Sequence, residues 1–206
     1  MISRTIERGI LALKRVVTAL IVALRIPPNL LTVASVVPTA LAAWRLASGD
    51  LTAAGLWIIL AGFFDVIDGA VARALGRMTP FGGMLDSVTD RTSDIFIYVG
   101  AVAYFHRLGA PLYEFLSMLA LGGALMVSYT RARAENIVTD CKVGFAERGE
   151  RMVLLLLALF FDKLGPGMWM LAVLAWLTTL QRLLHTGRAL AVASGGEAAQ
   201  QPPLPD

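Results

Sequence analysis

Apolar residues fill most of this chain in six long stretches, and breaker residues separate them. The stretches cover residues 30–48, 51–73, 84–106, 110–133, 148–165 and 167–190. Each is close to the 20 or so residues that a helix needs to cross the hydrocarbon of a membrane. Predicted turns lie at Ser48-Gly49-Asp50, Thr79-Pro80-Phe81-Gly82-Gly83, Leu108-Gly109-Ala110-Pro111 and Gly165-Pro166-Gly167. The pattern therefore predicts an all-α integral membrane protein with six transmembrane helices.

The segments at the two ends of the chain have a different pattern. In residues 1–26, basic side chains recur among Ile, Leu and Val, and no small-residue cleavage site precedes a soluble domain. This favours an N-terminal amphipathic interfacial helix over a signal peptide. Residues 27–193 form the predicted six-span domain. Residues 194–206 are polar and proline-rich, which is typical of a disordered tail.

The distribution of cations predicts the orientation in the membrane. With the N-terminus inside, only Arg45, Arg107 and Lys163 of the 18 Lys and Arg residues fall on the outer side. Basic residues concentrate in cytoplasmic segments of membrane proteins. We therefore predict a multi-pass protein of the cell (inner or plasma) membrane, with both termini and the charged segments at the cytoplasmic face.

Composition excludes several classes of function. Hydrophobic residues make up 57% of the chain and charged residues 16%, whereas a soluble domain carries about 25% charged residues. A formal net charge of +3 without a basic patch argues against a nucleic-acid partner. The single cysteine, Cys141, excludes an internal disulfide and a multi-cysteine metal site.

Four aspartates lie where two predicted spans meet. Asp65 and Asp68 come near the end of the second stretch, and Asp86 and Asp90 open the third. Spacings of three and four residues put each pair on one face of its helix. Because the connection, about residues 74–82, is short, we expect antiparallel neighbouring helices whose aspartate pairs face each other.

Four carboxylates at membrane depth repel one another unless a positive charge compensates them. Oxygen-only ligands suit Mg²⁺, Mn²⁺ or Ca²⁺ rather than zinc, and two such ions would be well placed to clamp a pyrophosphate. The alternative, salt bridges to Arg73, Arg77 and Arg91, explains neither the clustering nor the neighbouring glycines. For Asp94, one turn deeper, a structural hydrogen bond is favoured over a ligand role.

Residues 65–90 contain a specific motif: Asp65-x-x-Asp68-Gly69-x-x-Ala72-Arg73-x(8)-Gly82-x-x-x-Asp86-x-x-x-Asp90. It resembles the full signature of the CDP-alcohol phosphotransferase family at all eight fixed positions. The resemblance implies a six-helix membrane fold, usually a homodimer, with the active site at the cytoplasmic surface. It also implies transfer of a phosphatidyl-type group from a CDP-linked lipid, such as CDP-diacylglycerol, to an alcohol in phospholipid biosynthesis, with release of CMP.

The same resemblance assigns roles to single residues. It implies two Mg²⁺ or Mn²⁺ ions, with Asp65 and Asp86 bridging both, Asp68 completing one site, and Asp90 touching the other while serving as general base. The residues that it implies for the CDP-linked lipid are Asn29, Leu30, Leu31, Thr32, Gly69, Ala72, Arg73, Thr79 and Gly82.

The acceptor alcohol is predicted from the second half of the chain. Arginines near three helix ends, namely Arg131, Arg133, Arg151 and Arg182, suit the binding of a phosphate dianion. They resemble the phosphatidylinositol phosphate synthase branch, which implies inositol 1-phosphate as acceptor, although Arg131 stands where a lysine is common. Glycerol 3-phosphate is the alternative acceptor. The alternative for the arginines is that they bind no ligand and belong to the general excess of cations in cytoplasmic segments. An alternative to an enzyme is a transporter in which the aspartates bind cations or protons.

Overall fold

The computed structural model describes residues 14–138 and 143–198, and this part of the chain is helical with no β-strand. The all-α prediction is therefore confirmed. Its helices are α1 (residues 14–23), α2 (Pro28–Ala34), α3 (Val36–Ser48), α4 (Leu51–Ala74), α5 (Pro80–Arg107), α6 (Pro111–Ala134), α7 (Arg148–Phe160) and α8 (Leu164–Ala198).

The chain forms two compact units, residues 1–108 and 109–206. In the first unit, α3 packs against both α4 and α5. Gly100 of α5 lies so close to α3 that a Cβ atom on it would be 2.7 Å from the Ala43 carbonyl oxygen. Nearer the start of each helix, the hydroxyls of Thr39 on α3 and Ser93 on α5 lie 3.4 Å apart. The absence of a side chain at Gly100 thus fixes how closely α3 and α5 approach.

Two of the predicted turns have clear physical causes. Gly49 ends α3 with a φ of +92°, a left-handed conformation that favours glycine. Asp50 then caps α4, since its Oδ1 accepts a hydrogen bond from the Ala53 amide at 3.0 Å. Gly109, with a φ of +63°, separates α5 from α6 in the same way.

In the second unit, α8 packs along α6 and also contacts α7. The turn predicted at residues 165–167 is wrong, because α8 already begins at Leu164. A proline is tolerated in the first turn of a helix, where the missing N–H has no partner to lose. Gly167 serves packing rather than a turn, since a Cβ on it would be 2.5 Å from the Ala158 Cβ. The chain turns earlier, at Asp162, whose φ is +54°.

Within the described residues, four segments are long and apolar enough to cross a membrane: Pro28–Ser48, Leu51–Ala74, Pro111–Ala134 and Leu164–Ala191. The first combines α2 and α3. Helix α5 has 28 residues, but its first half carries several charged side chains. Helix α7 has 13 residues and spans about 20 Å at 1.5 Å per residue, less than the roughly 30 Å hydrocarbon core. The structure thus supports membrane embedding, and the count of six spans stays a prediction.

The predicted end segments are described only in part. Of the amphipathic helix predicted over 1–26, residues 1–13 lie outside the described residues, and α1 covers 14–23. Val17 and Ile21 of α1 pack on the first unit, whereas Val16, Leu20 and Leu24 form an exposed apolar stripe. Of the tail predicted over 194–206, the backbone is helical to Ala198, and residues 199–206 lie outside the described part.

Candidate functional site

Three signature carboxylates meet between α4 and α5. Asp65, Asp86 and Asp90 each offer an oxygen, and these oxygens lie within 4.8 Å of one another. Asp86 and Asp90 share a face of α5 because they are four residues apart. Helix α5 is positioned by a five-residue connection after α4 and by a Thr79 cap, whose Oγ1 accepts from the Gly82 amide at 3.0 Å.

The fourth carboxylate, Asp68, is held separately. It is 6% exposed, and its Oδ2 accepts a hydrogen bond of 2.5 Å from the Thr32 hydroxyl of α2. Asp68 lies three residues after Asp65 on α4, so both carboxylates point to the same side of the helix. The Thr32 hydroxyl therefore fixes the direction of one ligand candidate and ties α2 to α4.

The donor set fits a divalent cation. Carboxylate oxygens are hard ligands, and a gap of under 5 Å between them matches ligands that share an ion at 2.0–2.6 Å from each oxygen. Among the described residues, no His or Cys belongs to this cluster. Asp65, Asp86 and Asp90 could hold such an ion, and Asp68 could complete the site from the adjoining turn.

A cavity of about 530 Å³ lies beside these carboxylates in the first unit. Seven of the residues predicted to bind the CDP-linked lipid line it, together with three of the aspartates: Asn29, Thr32, Gly69, Ala72, Arg73, Thr79, Gly82, Asp65, Asp68 and Asp86. The lining also includes six residues that the sequence analysis did not assign to the site: Lys14, Pro28, Val66, Arg77, Met78 and Gly83.

Leu30 and Leu31, predicted with Asn29 and Thr32 as one binding segment, do not line the cavity. The segment is helical, so only residues three apart face the same side. Leu31 is instead buried in a small core with Ile67 and Val71, and Leu30 is exposed. Helical periodicity thus separates Asn29 and Thr32, at the cavity, from Leu30 and Leu31, whose contact with the CDP-linked lipid stays a prediction.

The two signature glycines provide room for neighbouring polar groups. A Cβ on Gly82 would lie 3.2 Å from the Thr79 hydroxyl and 3.4 Å from the Asn29 amide oxygen. At Gly69 it would lie 3.5 Å from Nη1 of Arg73, so the guanidinium group rests over the bare backbone. Both glycines therefore keep the polar lining of the cavity close to the helix axes.

In the second unit, three of the four predicted arginines meet around residues 143–147. Arg151 Nη1 donates to the Ala146 carbonyl at 2.9 Å, and Arg182 Nε donates to the Val143 carbonyl at 2.9 Å. Arg151 and Arg182 are 1% and 2% exposed. These guanidinium groups hold a turn of backbone between α6 and α7, a role that charge counting along the sequence does not reveal.

A carboxylate links Arg131 to this group. Arg131 Nη1 lies 3.9 Å and Arg182 Nη2 3.8 Å from the same oxygen, Oε1 of Glu147. Arg133 is exposed and lies two residues further along α6, on a different side of the helix from Arg131. The structure thus brings Arg131, Arg151 and Arg182 together and leaves Arg133 outside.

Asp94, for which the sequence favoured a structural role, is 2% exposed and lies one turn after Asp90. It is not part of the carboxylate cluster among the described residues. Asp94 is also absent from the cavity lining, and its structural hydrogen bond stays a prediction.

Known proteins of the family that the signature resembles are similar to this chain over most of its length. A family model described as CDP-alcohol phosphatidyltransferase matches residues 25–186. The archaetidylinositol phosphate synthase of Pyrococcus horikoshii is 37% identical over 168 residues, covering 81% of this chain and 87% of the relative. The enzyme of the same name from Methanothermobacter thermautotrophicus is 37% identical over 171 residues, covering 80% and 85%.

Solved structures agree with the fold. The crystal structure of Mycobacterium tuberculosis phosphatidylinositol phosphate synthase with CDP-DAG bound is similar with a TM-score of 0.77 and 29% identity, covering 84% of this chain and 92% of that one. The same protein in complex with manganese and citrate gives a TM-score of 0.78 at 29% identity, covering 84% and 88%.

The carboxylate cluster predicts binding of a divalent cation that can be measured without substrate. We expect Mn²⁺ to raise the melting temperature of the detergent-solubilised protein, since an ion at 100 times its Kd stabilises the folded state by about 2.7 kcal/mol. Asp86→Asn should lose most of this shift, and Asp162→Asn, outside the cluster, should keep it. Equal stabilisation of wild type and Asp86→Asn by Mn²⁺ would contradict the metal assignment.

Proposed function

The chain belongs to the CDP-alcohol phosphatidyltransferase family, and we propose that its acceptor is inositol 1-phosphate. It is accordingly an enzyme of phospholipid biosynthesis that takes a phosphatidyl-type group from a CDP-linked lipid. The observation that carries the reaction class is a cluster of three signature carboxylates, Asp65, Asp86 and Asp90, within 4.8 Å of one another. It lies beside a cavity that the signature glycines and Arg73 line.

Two independent features support the choice of acceptor. The similar relatives are named for the synthesis of inositol phosphate lipids in archaea and in mycobacteria. In addition, Arg131, Arg151 and Arg182 form a cationic group around one turn of backbone. We propose that these three arginines bind the acceptor's phosphate, because guanidinium groups pair with phosphate oxygens in a bidentate way.

The remaining elements of the proposal concern assembly. We propose six membrane spans, with α5 and α7 added to the four apolar segments, and both termini and the site on the cytoplasmic face. The excess of cations in the segments assigned to that face supports this orientation. We also propose a homodimer that holds two metal ions in each active site.

The residues of the site suggest how the reaction proceeds. Asp65, Asp68, Asp86 and Asp90 would hold Mg²⁺ or Mn²⁺, which when bound neutralises charge on the diphosphate. Arg73 binds a phosphate oxygen of the CDP-linked lipid, and Asn29 and Thr79 line the same cavity. Asp90 accepts the proton of the acceptor hydroxyl. The hydroxyl oxygen then forms a bond to the β-phosphorus as the bond from that phosphorus to CMP breaks.

The acceptor assignment predicts a ranking of alcohols. With a radiolabelled CDP-linked lipid, we expect inositol 1-phosphate to give the highest kcat/KM, ahead of glycerol 3-phosphate, serine and free inositol. A neutral alcohol lacks the phosphate that the arginines would bind. The measurement is CMP release and labelled lipid product with each alcohol. If glycerol 3-phosphate is the best substrate, the family assignment stands and the inositol phosphate proposal falls.

The role of Asp90 predicts the behaviour of Asp90→Asn. Loss of a general base costs about 10²–10⁴ in rate, so we expect kcat to fall by at least a hundredfold at saturating Mg²⁺. Binding of the CDP-linked lipid should persist. The control is Asp50→Asn, which alters an exposed helix cap far from the cluster. A variant at Asp90 with more than about a tenth of wild-type turnover would assign the base to another residue.

The arginine group predicts different effects for two neighbouring positions on α6. Arg131→Ala should raise the KM for inositol 1-phosphate about tenfold or more, since a charge-assisted hydrogen bond contributes roughly 1.5–3 kcal/mol. Arg133→Ala is the matched control, because it removes the same charge from an exposed side of the same helix. The KM for the CDP-linked lipid should stay constant in both variants. Equal KM values for the two variants would mean that charge alone, not a binding site, is at work.

A further inference from the structure

The N-terminal helix α1 is attached to the helices that carry the site. Val17, Ile21 and Val22 of α1 pack against a core formed by Leu31 of α2 with Ile67 and Val71 of α4. Asp68 and Gly69 follow directly after Ile67 on α4, so the packing of α1 adjoins the site. Its position next to the cavity is therefore a product of apolar contact with α2 and α4.

This packing directs one basic side chain to the cavity. Lys14 precedes Val17 by three residues and Thr18 by four, which puts it on the inward face of α1. It lines the cavity with the signature residues and is partly buried, whereas its neighbour Arg15 is exposed. Side chains on helices lean toward the N-terminus, so the Lys14 ammonium group extends past the apolar contact of α1.

The chemistry of the cavity suggests what this ammonium group binds. Among the described residues of the lining, Lys14, Arg73 and Arg77 carry positive charge. No hydrogen bond or ion pair joins Lys14 to another described residue, although carboxylates line the same cavity. Lysine keeps its charged end toward water or an anion while its aliphatic stem packs. An anionic ligand is therefore the natural partner for this group.

We propose that Lys14 binds the diphosphate of the CDP-linked lipid from the side of α1 and so contributes to substrate affinity. The proposal rests on the proposed function, which supplies the substrate. It assigns a substrate-binding residue outside the signature segment. This residue lies on α1, the helix that also carries the exposed apolar stripe. Docking of α1 would then make the site complete, because one cation of the cavity arrives with it.

The test measures ligand binding to the full-length protein in detergent with Mg²⁺, using CDP and cytidine as probes. Lys14→Met removes the charge and keeps the unbranched stem, and Lys14→Arg keeps the charge. We expect Lys14→Met to weaken CDP binding about tenfold, as the loss of one charge-assisted bond does. Cytidine, which has no phosphate, should bind Lys14→Met and wild type alike. Lys14→Arg should recover most of the affinity for CDP.

Arg15→Ala is the matched control, since it removes an adjacent but exposed cation and should leave CDP binding unchanged. If Lys14→Met binds CDP as wild type does, or loses CDP and cytidine equally, the proposal is overturned. Equal loss would show that Lys14 only supports the packing of α1. Failure of the proposed function has a separate signature, because wild-type protein would then neither bind CDP nor release CMP from the CDP-linked lipid.

Discussion

Repulsion among carboxylates is the constraint on which the first unit depends. At a separation of under 5 Å, each pair among Asp65, Asp86 and Asp90 repels by roughly 3 kcal/mol or more at an effective dielectric constant of 20. A cation can offset this repulsion, but the helices must hold the carboxylates together before it binds. The short connection from α4 to α5 and the close contact of Gly100 with α3 provide that rigidity.

Much of the site was predictable because its signal is local. The spacing of the four aspartates fixes which of them share a helix face, and a short connection between two helices brings the faces together. The breaks at Gly49 and Gly109 were predictable for a similar reason, since a left-handed backbone conformation favours glycine. Each of these predictions needs only a few neighbouring residues and one rule of geometry.

Other features depend on packing partners distant in sequence, and the sequence did not reveal them. The sequence predicts a turn at Pro166, but the proline lies in the first turn of α8, where a helix tolerates it. Gly165 and Gly167 beside it allow Tyr113 and Ala158 to approach closely. Lys14 gave no sign of its place at the cavity, since the amphipathic pattern of α1 is satisfied by a membrane surface alone. Only the packing of α1 on α2 and α4 shows which of its apolar residues are buried against the protein and which stay exposed.

The buried arginines show how one residue can hold the fold and also prepare a binding site. Arg151 and Arg182 give part of their hydrogen-bonding capacity to backbone carbonyls, which limits the freedom of their side chains. Glu147 lies between Arg131 and Arg182 and offsets part of their charge. A phosphate that binds these two arginines must therefore compete with a carboxylate already in place.

The mixed lining of the first-unit cavity has a consequence for how the enzyme meets its lipid. Val66 and Met78 are exposed apolar residues in a wall that also carries carboxylates and cations. Such a wall accepts a molecule whose tails stay in the bilayer while its head enters the cavity. The relevant substrate concentration is then the mole fraction of CDP-linked lipid in the membrane, not its amount per volume of solution. Inert lipid dilutes this substrate, whereas added water does not.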